Sequence, residues 1–125
     1  MSGTVLLIED NEQNRYLTTF LLERSGYTVV PAFDGPHGIR EASRSCPDIV
    51  LVDIQLPLMD GYAVAAKLRT LPALRDTPII AVTSYAMVGD REKALAAGCT
   101  GYIEKPINPE TFVAEVEGIA RGGRP

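Results

Sequence analysis

Short apolar runs alternate with longer amphipathic stretches five times along the chain. The runs are Val5–Ile8, Thr28–Val30, Ile49–Val52, Ile79–Val82 and Gly101–Ile103. Most are rich in Val and Ile and lack polar alternation, the pattern of strands covered on both faces of a parallel sheet. The intervening stretches have helical spacing. Leu17, Phe20 and Leu21 share a face of the first, and Gly26 stands where a helix C-terminus is expected. Gly35-Pro36 opens the second, with Pro at the first helical position. The third follows Asp60-Gly61 and runs to about Thr70, ahead of Pro72; the fourth carries Ala94, Leu95 and Ala97 and stops at Gly98. Asn108-Pro109-Glu110 supplies an N-cap, a Pro at the first helical position and a carboxylate for the fifth, whose buried stripe is Phe112, Val113, Val116 and Ile119. Met59 and Met87 read as loop and helix-end packing.

Alternating strands and helices at this length predict an α/β fold, (βα)5, with helices on both faces of one parallel sheet. Right-handed crossovers make the flavodoxin-like doubly wound order 2-1-3-4-5 the leading topology for five strands. The 125 residues read as a single domain, 1–125, with Arg121–Pro125 as a frayed tail and no output domain. A chain of this size leaves roughly 6,500 Å² exposed when folded, so a core forms without disulfides or a structural metal.

Composition narrows the class. Hydrophobic residues at 46% and charged residues at 22% exclude bulk disorder. Twelve Lys and Arg against sixteen Asp and Glu, with no basic cluster, argue against a binder of nucleic-acid backbone. No apolar run approaches the ~20 residues of a membrane span, and the N-terminus lacks a basic-then-apolar signal. Cys46 and Cys99 are far apart and share no metal-ligand spacing. They read as free, semi-buried thiols of a reducing cytoplasm, with a disulfide or redox role as the alternative.

Ligands of such sheets sit outside the carboxyl ends of the strands, at the switch point between strands 1 and 3. Strand 1 ends in Glu9-Asp10, strand 3 in Asp53, strand 4 in Thr83, and strand 5 runs into Lys105-Pro106. Three carboxylates, a hydroxyl and an ammonium thus converge on one sheet edge. Crowded carboxylates repel one another and call for a cation. Oxygen ligands without His or Cys suit a hard cation, Mg²⁺ better than Ca²⁺ where few carboxylates leave room for water. Taken singly, Glu9-Asp10 reads better as an acid pair at a helix N-terminus, and Asp53 as a loop or N-cap aspartate. Their coincidence at one edge favours a phosphoryl-transfer site.

The blocks Ile8-Glu9-Asp10-Asn11, Val52-Asp53-Ile54-Gln55-Leu56-Pro57-Leu58-Met59-Asp60-Gly61, Val82-Thr83-Ser84 and Tyr102-Ile103-Glu104-Lys105-Pro106 resemble the receiver domain of two-component response regulators, over the whole chain. The wording from Thr83 to Asp90 looks most like the stand-alone receivers of the DivK cell-division type. The resemblance implies that Asp53 accepts a phosphoryl group from a phosphohistidine. It implies Mg²⁺, with Mn²⁺ as a substitute, held by Asp10, Asp53 and the main-chain carbonyl of Gln55, with Glu9 acting through water. Lys105 then pairs with one phosphoryl oxygen and Thr83 hydrogen-bonds another. Lys105-Pro106 resembles the family's cis peptide, which returns the ammonium to the site. Tyr102 matches the switch aromatic, the alternative being a half-buried strand tyrosine. Gln55, Ser84 and Tyr85 flank the approach to the phosphoryl group: Ser84 replaces the usual Ala or Gly, Gln55 is polar enough to orient a water, and Tyr85 either shields the group or packs against the fourth helix. His37 reads as a solvated helix-surface histidine without an acidic relay.

The resemblance also implies the partners: a histidine kinase or histidine phosphotransfer protein, docking near the first helix and the loop after strand 5. A downstream protein would meet the face built from the fourth helix, fifth strand and fifth helix. The expectation is a cytoplasmic signalling switch, monomeric or dimerising on phosphorylation, and not an enzyme with a turnover substrate. Other classes fit less well. A haloacid-dehalogenase-like phosphatase needs a second Asp two residues after the nucleophile, where Gln55 stands. A flavodoxin-like flavin carrier needs a phosphate loop where Glu9-Asp10-Asn11-Glu12 would repel the ligand. A degenerate receiver would lack part of the set Asp10, Asp53, Thr83 and Lys105.

Overall fold

The computed structural model describes residues 3–84 and 89–122. Five strands, β1 (Gly3–Ile8), β2 (Tyr27–Ala32), β3 (Ile49–Asp53), β4 (Ile79–Thr83) and β5 (Gly101–Glu104), form one sheet in the order β2-β1-β3-β4-β5. All neighbours are parallel. The helices are α1 (Glu12–Arg24), α2 (Gly35–Ser45), α3 (Gly61–Arg69), α4 (Asp90–Ala96) and α5 (Phe112–Gly122). The accessible surface is 6760 Å², close to the expectation from chain length.

The period-two geometry of a strand sends alternate residues to opposite faces. Leu6, Ile8, Val50, Val52, Ile79 and Ala81 pack with Ala42, Val64, Ala65, Leu68 and Ala94 of α2, α3 and α4. Val5, Leu7, Leu51, Ile80 and Ile103 pack with Leu21, Leu22, Phe112 and Val116 of α1 and α5. Both faces are therefore covered, which is why the strands read as continuous apolar runs.

The helix ends obey local chemistry, with small departures from expectation. Asp34 caps α2 by accepting from the His37 N–H at 2.8 Å, so Gly35 is the first helical residue and Pro36 the second. At the fifth helix the Asn108 side chain accepts from the Glu110 N–H, and its carbonyl from Thr111 and Phe112. That closes a turn first, and regular helix starts at Phe112, later than expected. The helix continues through Arg121 and Gly122, where the sequence predicts a frayed tail. Gly26 (φ 100°) and Gly98 (φ 103°) come after α1 and α4 in the left-handed conformation that glycine tolerates.

Two apolar residues differ from expectation. Phe20 is half exposed, and its ring lies 5.7 Å from the Arg24 guanidinium; Leu21 is buried and Leu17 partly buried as expected, and Thr18 and Leu22 join them. Leu95 is likewise exposed, leaving Ala94 as the buried residue of α4. A single 3-10 turn at Pro72–Leu74 has no counterpart in the sequence pattern. It is held by Arg69, whose guanidinium donates to the carbonyls of Leu74, Arg75 and Thr77 and, across the fold, of Gly98. Cys46 is exposed in a left-handed cap (φ 46°) and Cys99 is buried; both are free thiols.

Candidate functional site

Four chain segments deliver the site because the strands end in register. Asp53 is paired with Val82, and Thr83 with Glu104. The Ile54 N–H continues the ladder to Val82 O, and the Lys105 N–H donates to Thr83 O at 2.8 Å. The ends of β3, β4 and β5 are thereby locked side by side. Glu9 comes directly after β1, with its N–H on Ala32 O.

Glu9, Asp53 and Thr83 are 3–4% exposed, unusual for two carboxylates and a hydroxyl. The Lys105 ammonium compensates both acids, 3.1 Å from Glu9 Oε1 and 3.4 Å from Asp53 Oδ2. The other carboxylate oxygens accept backbone donors, Glu9 Oε2 from the Asn11 N–H and Asp53 Oδ1 from the Gln55 N–H, both at 3.1 Å. Gln55 Nε2 reaches Thr83 Oγ1 at 3.4 Å. Burial, reinforced by the Asp53 charge and opposed by Lys105, pushes the Glu9 carboxyl up from 4.5 to about 7.

Asp10 is exposed beside the buried pair, and one carboxylate oxygen each from Glu9, Asp10 and Asp53 lies within 4.8 Å of the others. These acids suit a hard cation: the donors are oxygen, and buried like charges that hold Glu9 partly protonated are relieved by positive charge among them. The Asp53–Gly61 loop is shaped around this edge. The Gly61 N–H donates to Ile54 O at 2.9 Å, and a Cβ at Gly61 would press on Asp53 O and sit 2.6 Å from Ile54 Cα. Only glycine fits so close an approach. Met59 packs against the core there, as expected, whereas Leu58 is exposed at φ 71°.

The structure brings together Glu9, Asp10, Asp53, Gln55, Thr83 and Lys105, with the Lys105-Pro106 bond cis. Tyr102 is half-buried against the core on the α4 side, and Ser84 is exposed. Tyr85 and Met87 lie outside the described residues. His37 differs from expectation: Nδ1 accepts from the Phe33 N–H at 3.1 Å, and Nε2 lies 3.8 Å from Glu41, a carboxylate one turn on. Sequence reasoning missed Arg15, whose Nη1 donates to the Glu9 carbonyl at 2.9 Å. Its only signal was position, one turn into the helix next to the acid pair.

Solved structures place the fold among CheY-like signalling domains. Vibrio cholerae chemotaxis protein CheY4 matches with a TM-score of 0.91 at 27% identity, over 95% of this chain and 99% of that one. The receiver domain of a Pseudomonas aeruginosa sensor histidine kinase, solved with a magnesium ion coordinated in its active-site cleft, matches at 0.86 and 34% identity, over 96% and 98%. The polar-differentiation response regulator DivK of Brucella ovis is 39% identical over 117 residues, 94% of this chain and 95% of its own. The class is thus a phosphoryl-accepting signalling domain of two-component systems.

More narrowly, the response regulator receiver domain model matches residues 5–117, and the chain belongs to that family. Receiver domains bind Mg²⁺ at an acidic pocket and work with histidine kinases or phosphotransfer proteins; among the described residues, Glu9, Asp10 and Asp53 form an acidic group that could hold a metal ion. No helix among the described residues is long and apolar enough to cross a membrane.

Proposed function

We propose that Asp53 is the phosphoryl acceptor. A carboxylate oxygen of Asp53 attacks the phosphorus of a phosphohistidine, the P–N bond breaks, and its electron pair remains on the imidazole, which takes up a proton. The observation that carries this reading is the placement of the buried Asp53 carboxylate between the Lys105 ammonium, the Gln55 N–H and the exposed acid Asp10. Asp53 is the nucleophile. Lys105 is the point charge that moves from carboxylate pairing to a phosphoryl oxygen, and Thr83 supplies a hydroxyl on the neighbouring strand end. Asp10, Asp53 and the Gln55 carbonyl would hold Mg²⁺ or Mn²⁺, with Glu9 assisting through water. A cation held there would offset the charge of the acids and of the incoming phosphoryl group.

This chemistry is single-use signalling rather than turnover: the product stays on the protein and changes what the surface binds. A histidine kinase or phosphotransfer protein docks near α1 and the loop after β5, and the face of α4, β5 and α5 carries the output, with Tyr102 as its switch aromatic. A part in cell-cycle or division control is suggested by the likeness to the polar-differentiation regulator DivK, and a cytoplasmic location by the two free thiols. The test is a small acyl phosphate with Mg²⁺, read by intact mass. Wild type gains one phosphoryl group and Asp53→Asn gains none; labelling of the Asn variant at the same rate moves the acceptor elsewhere.

A further inference from the structure

The paired register of β1 and β2 ends at Ile8 and Ala32, so the Glu9 carbonyl lies just beyond the ladder. Arg15 takes it, Nη1 to O at 2.9 Å, reaching back from the first turns of α1. The same guanidinium lies over the Phe33 ring, 4.3 Å from its centroid, just after the end of β2. Phe33 is itself fixed: its N–H donates to His37 Nδ1, and the His37 ring stands edge-on to it at 5.1 Å and 73°. His37 is set in turn by the Asp34 cap on its N–H. Arg15 is thus clamped between the peptide that joins Glu9 to Asp10 and a ring anchored on α2. A planar guanidinium satisfies both demands at once, hydrogen bonding in its plane and stacking on its face.

The Glu9 side chain is held independently, by Lys105 and the Asn11 N–H. Arg15 therefore contributes little to where Glu9 sits and much to the plane of the Glu9–Asp10 peptide, which sets where the Asp10 carboxylate is presented. We propose that Arg15, backed by Phe33, is the positioning residue of the cation site. The inference rests on the site assignment proposed above.

Its sign makes it testable. Arg15 is a cation near an acid cluster, so by Coulomb's law alone its removal tightens binding of a divalent cation. Positioning predicts the reverse. Mg²⁺ titrations of wild type, Arg15→Met, Arg15→Lys and Phe33→Leu, monitored through backbone amide signals, separate the two. Loss of a group that orients a metal ligand weakens affinity about tenfold, the drop expected for Arg15→Met. Arg15→Lys and Phe33→Leu should show smaller losses, since each keeps one half of the clamp. In metal-free buffer the Glu9 and Asp10 amide signals should already be displaced in Arg15→Met. A merely structural role lowers unfolding stability and leaves the affinity of the folded protein unchanged. Equal or tighter Mg²⁺ binding by Arg15→Met overturns the inference, and should that variant not fold, the same result with Phe33→Leu overturns it. Absence of any Mg²⁺ response at Asp10 and Asp53 in wild type instead overturns the site assignment, and the inference falls with it.

Discussion

Lys105 Nζ lies 3.1 Å from Glu9 Oε1, nearer than its 3.4 Å to Asp53 Oδ2. Glu9 therefore shares the ammonium, yet its carboxyl is still pushed up to about 7, because burial and the Asp53 charge outweigh Lys105. Between pH 4.5 and 7 the folded protein holds a proton at Glu9 that the unfolded chain releases. Stability from this group is complete below pH 4.5 and is lost as pH rises through 7. In metal-free buffer, urea-unfolding stability should fall by ~3 kcal/mol across that window. Glu9→Gln should remove this component of the slope, and an unchanged slope would show that Glu9 does not carry it.

Thr83 and Asp53 end adjacent strands, and Thr83 Oγ1 already takes a contact from Gln55 Nε2 at 3.4 Å. A phosphoryl group on Asp53 brings charge of about −2, by analogy with other phosphorylated side chains, beside that hydroxyl. Thr83→Ala should still be labelled by a small acyl phosphate, slowed by about tenfold, since each ~1.4 kcal/mol of barrier is tenfold in rate and a hydrogen bond to a charged oxygen supplies about that much. The conformational response should shrink, measured as phosphorylation-induced amide shifts at Tyr102. A full Tyr102 response in Thr83→Ala would mean the signal leaves the site by another route.

The two atoms nearest to a Cβ at Gly61 are backbone, Asp53 O and Ile54 Cα, with the end of the Ile54 side chain next. Gly61→Ala must displace the Asp53–Ile54 peptide, a clash of the kind that costs about 1–3 kcal/mol. Lower urea midpoints should accompany slower phosphorylation, because the displaced peptide carries the acceptor. Gly118, whose Cβ would meet nothing within 4 Å, is the control: Gly118→Ala should not destabilise, and equal losses at both positions would refute the steric argument.

The two thiols should differ sharply. Burial pushes Cys99 up to about 11, so it is un-ionised at neutral pH as well as inaccessible. Maleimide at neutral pH should modify Cys46 alone, as read by peptide mapping. Cys46→Gly, which removes a Cβ from a left-handed helix cap, should raise stability by about 1 kcal/mol. Rapid modification of Cys99 would contradict its buried setting.

The strands and the carboxylates at their ends were legible because a doubly covered sheet imposes unbroken apolar runs, and a strand end fixes the place of the residues just beyond it. Helix faces were less legible. Phe20 is a large apolar residue, but the buried stripe through Thr18, Leu21 and Leu22 leaves it at the rim beside Arg24. The late start of α5 reflects Asn108 closing a turn with both its side chain and its carbonyl, a competition that composition does not decide. Arg15 and Phe33 were invisible because their meeting depends on how α1 and the end of β2 come together in space.

Arg69 binds carbonyl oxygens, and every peptide offers one whatever its side chain. The path of the chain from Leu74 to Thr77 is therefore dictated by a residue outside it, and the exposed side chains at Ala73, Arg75 and Asp76 are released from specifying that path. Mutational freedom is thereby concentrated in one surface segment, while the constraint that permits it is concentrated in a single arginine.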